Sequence, residues 1–173
     1  MKKLNEVNLR KVSLSYDIMS RFSISVFKSQ TSLSKVDMNL NKPELAYTDT
    51  EDLSCNETFF VYDKEINKRA FTLKSNKDSS DVIPKIKELI IRHLNDLYTK
   101  SGYIGILVDV MVIQADGCYH IEPNTIIFIK NKYIGKDMVK IVYTPDNKIF
   151  AETESDEAIE ISKDDFVDIG ILD

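Results

Sequence analysis

Between Tyr103 and Gln114 the chain is apolar at both alternating sets of positions. Ile104, Ile106, Val108, Val110 and Val112 form one β-branched set, and Tyr103, Leu107, Met111 and Ile113 belong to the other. A strand that is apolar on both faces has to be covered on both, which places it in the middle of a sheet. Everything else in the chain must be arranged around that strand.

The segment before it supplies one cover. Ile83, Ile86, Ile90, Leu94 and Leu97 recur at spacings of three and four, a single apolar stripe on a helix over about 82–100. Asp81 is the expected N-cap, with Pro84 in the first turn, where a missing N–H costs nothing. Lys100 suits the last turn and Gly102 a left-handed cap.

After the central strand, Asp116-Gly117 signals a hairpin turn. The return strand is expected through Tyr119 and Ile121, interrupted at Pro123 and resumed at Thr125–Ile129. Asp137–Tyr143 and Lys148–Thr153 read as another hairpin around Pro145-Asp146-Asn147. Ala158–Ile161 is a last short strand, and Ser162 with Asp165 resembles a capping box. Upstream, period-two alternation predicts strands near 10–18 and 21–28. Phe59–Tyr62 and Arg69–Lys74 read as a further hairpin. Residues 29–57 are polar and broken by Pro43, which is long for a loop inside a compact domain. They read as an arm, lid or linker. The expected fold is therefore α+β: a mostly antiparallel meander of hairpins with one principal helix packed on the sheet.

At 173 residues the chain fits a single domain, here with the arm at 29–57 and an acidic docking segment at about 151–173. That length buries enough surface to need no staple. Cys55 and Cys118 do not form a disulfide framework. Met1–Arg10 has no apolar core for a signal peptide. The longest apolar run, Ile104–Ile113, is interrupted by Asp109 and falls short of the ~20 residues of a membrane helix. A cytoplasmic protein without membrane contact is expected.

Net charge is −5, and the last 23 residues hold one basic group, Lys163, against nine acidic ones. Lys2, Lys3, Arg10 and Lys11 make only a local basic patch, better read as a solvated terminus. No sequence-specific contact with nucleic acid is expected.

Three groups of residues have the types that carry chemistry. Asp109 is a carboxylate inside an apolar strand, which suits an acid, a base or a metal ligand. It equally suits a structural partner, or a place where the strand meets solvent, and that reading is favoured. Cys118, His120 and Glu122 alternate on one side of a strand, the best polar cluster in the chain. With one Cys and one His together, a metal site would need a carboxylate as third ligand. Mixed side chains at a hairpin end are the favoured reading. His93 flanks the helix stripe and is expected to be satisfied by local contacts. No phosphate-binding loop, nucleophile elbow or zinc-protease motif is present. No cofactor or metal is expected.

The acidic tail keeps Phe166, Val167, Ile169 and Ile171, too apolar for a disordered segment. It is expected to dock, on its own sheet or on a neighbour, by strand addition or as a short helix. With Leu40 and Pro43 in the arm, these residues are the expected interface. The function expected is non-enzymatic: a structural or adaptor subunit in a homo- or hetero-oligomer of protein subunits. Lysine outnumbers arginine 19 to 4 and tryptophan is absent, as in AT-rich genomes. That composition suits a bacteriophage virion component, such as a head–tail connector, neck-ring or tail protein, found in host cytoplasm and virion. One alternative is a small hydrolase or nuclease using Asp109, His120 and Glu122, whose side chains would then converge. Another is an inhibitor or immunity-type protein binding one partner through its acidic C-terminal surface.

Overall fold

The computed structural model describes residues 2–28, 33–36, 57–75 and 79–173. The fold is α+β, mostly strand, with antiparallel sheets and one main helix. The chain divides into two compact units, residues 9–93 and residues 94–173 with 1–8. Leu40, Pro43 and most of the expected arm lie outside the described residues.

The N-terminal alternation is cut short by a cap. Lys2–Lys3 (β1) and Val12–Leu14 (β2) are short strands, and Tyr16–Arg21 is a helix, α1. The strand expected through Ile18 is therefore wrong beyond Leu14. Ser15 accepts a hydrogen bond from the Ile18 N–H, and Asp17 sits in the first turn. A serine cap with an acid beside it outweighs four alternating apolar positions. Tyr16, which would have continued the strand, is 78% exposed.

The first unit carries a four-stranded sheet in the order β4-β3-β5-β6. Its strands are Phe22–Lys28 (β3), Leu33–Val36 (β4), Glu57–Asp63 (β5) and Lys68–Ser75 (β6). Phe22, Ile24, Val26, Phe59 and Val61 are buried on its inner face. The alternate positions face outward. Register sets Ser23 beside Tyr62, Ser25 beside Phe60 and Phe27 beside Thr58, and β6 adds Arg69, Thr72 and Lys74.

The main helix, Ser79–Lys100 (α2), meets the inner face through His93, whose ring lies edge-on to Phe22 with centroids 5.8 Å apart. It begins two residues before Asp81, so Asp81 lies in the first turn and not at the cap. Pro84 is then inside the helix. It removes only the bond to Ser80, close to an end where donors already lack partners. Gly102 ends the helix region as expected, at φ +85°.

One ion cluster joins three elements of this unit. Asp63 at the end of β5 is fully buried. Arg21, 7% exposed, grips it with two bonds of 2.8 Å, from Nε to Oδ1 and from NH2 to Oδ2. His93 Nε2 lies 2.8 Å from Oδ2, and the Glu65 N–H donates to Oδ1 at 3.1 Å. His93 is thus satisfied by a residue 30 positions away, not by neighbours on its helix.

The second unit is one sheet running β11-β10-β9-β7-β8-β12, with β1 beside β7. The strands are Tyr103–Ile113 (β7), Tyr119–Lys130 (β8), Met138–Tyr143 (β9), Ile149–Thr153 (β10), Ala158–Ile161 (β11) and Phe166–Leu172 (β12). The long apolar strand is central, paired with β8 on one edge and with β9 and β1 on the other. β9 returns parallel to β7 instead of beside β8, carried there by the short helix Asn131–Lys136. Pro123 does not interrupt β8. Asn124 takes a left-handed φ of +56° and the register shifts there, so the strand absorbs the proline as a bulge. One face gathers Ile106, Val110, Ile127, Ile141, Ala151 and Phe166 into a core. The other presents Phe128, on which Tyr98 of the last α2 turns stacks at 4.9 Å.

Removing the Asp63 carboxylate takes both 2.8 Å bonds from the buried Arg21 side chain, whose NH1 still lies 3.1 Å from the exposed Glu65, and strips His93 of its acceptor. Asp63→Ala is expected to cost about 3–5 kcal/mol in urea unfolding at pH 7. Burial alone would raise the Asp63 carboxyl, but the bonds from Arg21 and His93 outweigh it and hold it below its ordinary value. Its contribution is therefore complete above the ordinary carboxylate range and is lost as pH falls below it. The variant should shed that acid-side dependence; a loss under 1 kcal/mol would show that the cluster does not hold the unit together.

Candidate functional site

Alternation along β7 separates the residues of the hydrolase reading. Val110 stands opposite Glu122 and Val112 opposite His120, so both polar residues share the face of Val110 and Val112. Asp109 lies between Val108 and Val110 and points to the other face. There it is exposed and lines a shallow depression of about 220 Å³ with Lys2, Leu107, Asn124 and Val139. Its Oδ1 accepts the Asn124 N–H at 3.2 Å, which holds the bulge. Lys140 is its neighbour on β9, but that ammonium pairs with Glu152 at 3.3 Å.

Cys118, His120 and Glu122 follow one another at the hairpin end, and all three are partly or fully exposed. His120 Nε2 lies 3.5 Å from Glu122 Oε1. The Cys118 N–H donates to Asp116 Oδ1, closing the turn in which Gly117 has φ +87°. No group of three His, Cys, Asp or Glu side chains able to hold a metal occurs among the described residues.

The structure adds a cluster that the sequence does not flag. Asp168 on β12, Tyr143 on β9 and Glu122 on β8 gather at one end of the core face. The Tyr143 O–H and the Gly170 N–H donate to the Asp168 carboxyl. Burial and the nearby Glu122 charge push Asp168 up to about 6. Burial, with the charges of Asp168 and Glu122, also pushes the Tyr143 hydroxyl well above its ordinary value. A half-buried acid, a second carboxylate and a phenol can share a proton.

The other feature of this region is an edge. β12 pairs with β8 only from Ile129 to Thr125. Beyond that point Tyr119–Glu122 have β7 on one side and, among the described residues, no strand on the other. On the face away from His120 and Glu122, Tyr119 is 62% exposed and Ile121 51%, with Met111 and Ile113 half-buried beside them. Proteins usually guard such an edge with lysines, a short strand or a covering loop. Here Pro123 and the bulge guard only its inner end.

The expected interface residues sit elsewhere. Phe166 and Ile169 are buried in the sheet, and Val167 and Ile171 are half-buried on β12. The tail docks on its own sheet, by strand addition to β8. Comparison with known proteins finds no matching family model, no similar curated protein and no similar solved structure.

The Asp168 carboxyl binds its proton more tightly folded than unfolded, where its ordinary value is 3.8. Its contribution is full below about pH 4 and is lost as pH rises to about 6. Asp168→Asn keeps an acceptor for Tyr143 and Gly170 while removing the charge. We expect the wild-type stability, relative to the variant, to fall across that window by about 2 kcal/mol, discounted for water at the site. Parallel urea curves for the two proteins from pH 4 to pH 7 would show Asp168 to be an ordinary solvated acid.

Proposed function

We propose that the protein is a non-enzymatic subunit of a larger protein assembly, docking through the open end of β8. The observation that carries this reading is the edge at Tyr119–Glu122, which has no strand partner among the described residues and is flanked by exposed Tyr119 and Ile121. A partner strand laid there finds backbone donors and acceptors for affinity and an apolar face for its alternate side chains.

The hydrolase reading loses its support from the same strands, because Asp109 and His120 face opposite sides. The inhibitor reading would use the acidic C-terminal surface, which β10, β11 and β12 present as integral strands of the sheet. A place in a bacteriophage virion is the finer form of the assembly reading and rests on composition. No described helix is long and apolar enough to cross a membrane.

Light scattering behind a sizing column, over a range of concentrations, tests the self-assembling form. The wild-type mass is expected to rise above the 19.9 kDa of one chain. Ile121→Lys sits on an exposed side chain, so it should leave the melting temperature unchanged and return the protein to one chain. A monomer at every concentration, or an oligomer indifferent to Ile121→Lys, would remove β8 as the self-docking edge.

A further inference from the structure

We propose that the outward face of the β3-β5-β6 sheet is a sequence-independent binding surface for single-stranded nucleic acid. It lies in residues 9–93, and the proposal does not depend on the assembly reading above.

Phe60 and Tyr62 stand two residues apart on β5, and Phe27 is the diagonal neighbour of Phe60 on β3. All three rings point away from the buried face, and Tyr62 is 36% exposed. The Arg69 guanidinium carbon sits 4.5 Å from the Phe60 ring centroid, so a stacked cation already lies on this face. Lys74, exposed at the other end of β6, stands in register with Thr58. The positions between the rings hold Ser23, Ser25 and Thr72.

Charge selects the occupant. The protein has 28 acidic residues, yet no outward position of β3, β5 or β6 carries one. A face with cations and no carboxylate is complementary to a polyanion. An acidic peptide would use the cations and leave the rings unexplained. A single strand uses both, because unpaired bases stack on aromatic rings and guanidinium planes while phosphates meet the cations. Duplex DNA keeps its bases stacked inside and offers the rings nothing. With two cations and no ring of donors aimed at base edges, recognition is by stacking and not by sequence.

Fluorescence anisotropy of a short labelled oligothymidylate, titrated with the full chain at low salt, is the test. Binding is expected, weakening as salt rises, and weaker for a duplex of the same length. Tyr62→Ala removes an exposed ring, and Phe60→Ala is the second variant. Each is expected to weaken binding roughly ten- to a hundredfold with the circular dichroism spectrum unchanged. Arg69→Ala should weaken it and flatten the salt dependence. Three results would overturn the proposal: no binding at low salt, equal affinity for duplex, or full competition by poly-glutamate with both aromatic variants indistinguishable from wild type. The last would mark the face as a site for acidic protein segments.

Discussion

The burial of β7 on both faces constrains more of the molecule than any other feature. A strand with apolar side chains on either side cannot sit at an edge or face water. Its neighbours β8, β9 and β1 occupy both of its edges, and its side chains divide between the core of Ile127, Ile141 and Phe166 and the face of Phe128. Gly105 shows how tight this arrangement is. A Cβ there would lie 2.4 Å from Leu4 Cδ1 and 2.7 Å from the Phe128 ring, so any larger residue would have to push both side chains aside. One polar residue, Asp109, survives in β7 because the bulge at Asn124 opens the strand to solvent at that point.

The Arg21–Asp63–His93 cluster has a different role. It fastens the end of α1, the end of β5 and the flank of α2 with charge-assisted bonds. Such a cluster adds little net stability compared with apolar packing of equal volume, because three polar groups lose water. Its geometry is demanding instead: a bidentate guanidinium and an imidazole fit one carboxylate in only one arrangement. Burial of this kind selects one packing of strand against helix.

Periodic features were legible in the sequence, and contingent ones were not. The stripe on α2, the double-faced β7, the Asp116-Gly117 turn and the β9–β10 hairpin follow from spacing, and the structure has them. The strand through Ile18 failed because one serine capped a helix, a short-range hydrogen bond that alternation does not register. Pro123 looked like a break because proline is a poor strand residue, yet a left-handed asparagine after it preserved the pairing. The partner of His93 was hidden because it lies 30 residues away. Asp168 and Tyr143 were hidden for the same reason: each is unremarkable locally, and only the pairing of β12 with β8 and the return of β9 bring them together. The open edge of β8 is a difference in length between neighbouring strands, which no single segment reveals.

The partial cover that β12 gives β8 also has a meaning in time. β7 and β8 are joined by a tight turn and can pair as soon as both leave the ribosome. Phe166 follows Lys130 by about 36 residues. During synthesis, therefore, the whole outer edge of β8, including its buried Ile126–Ile129 stretch, stands uncovered while β9, β10 and β11 are added. Long-range pairing of this kind is slow to form and exposes strand edges while it waits. The nascent chain thus passes through a period in which its stickiest edge is complete and its own cover is not. Many chains growing on one message would meet each other in that state.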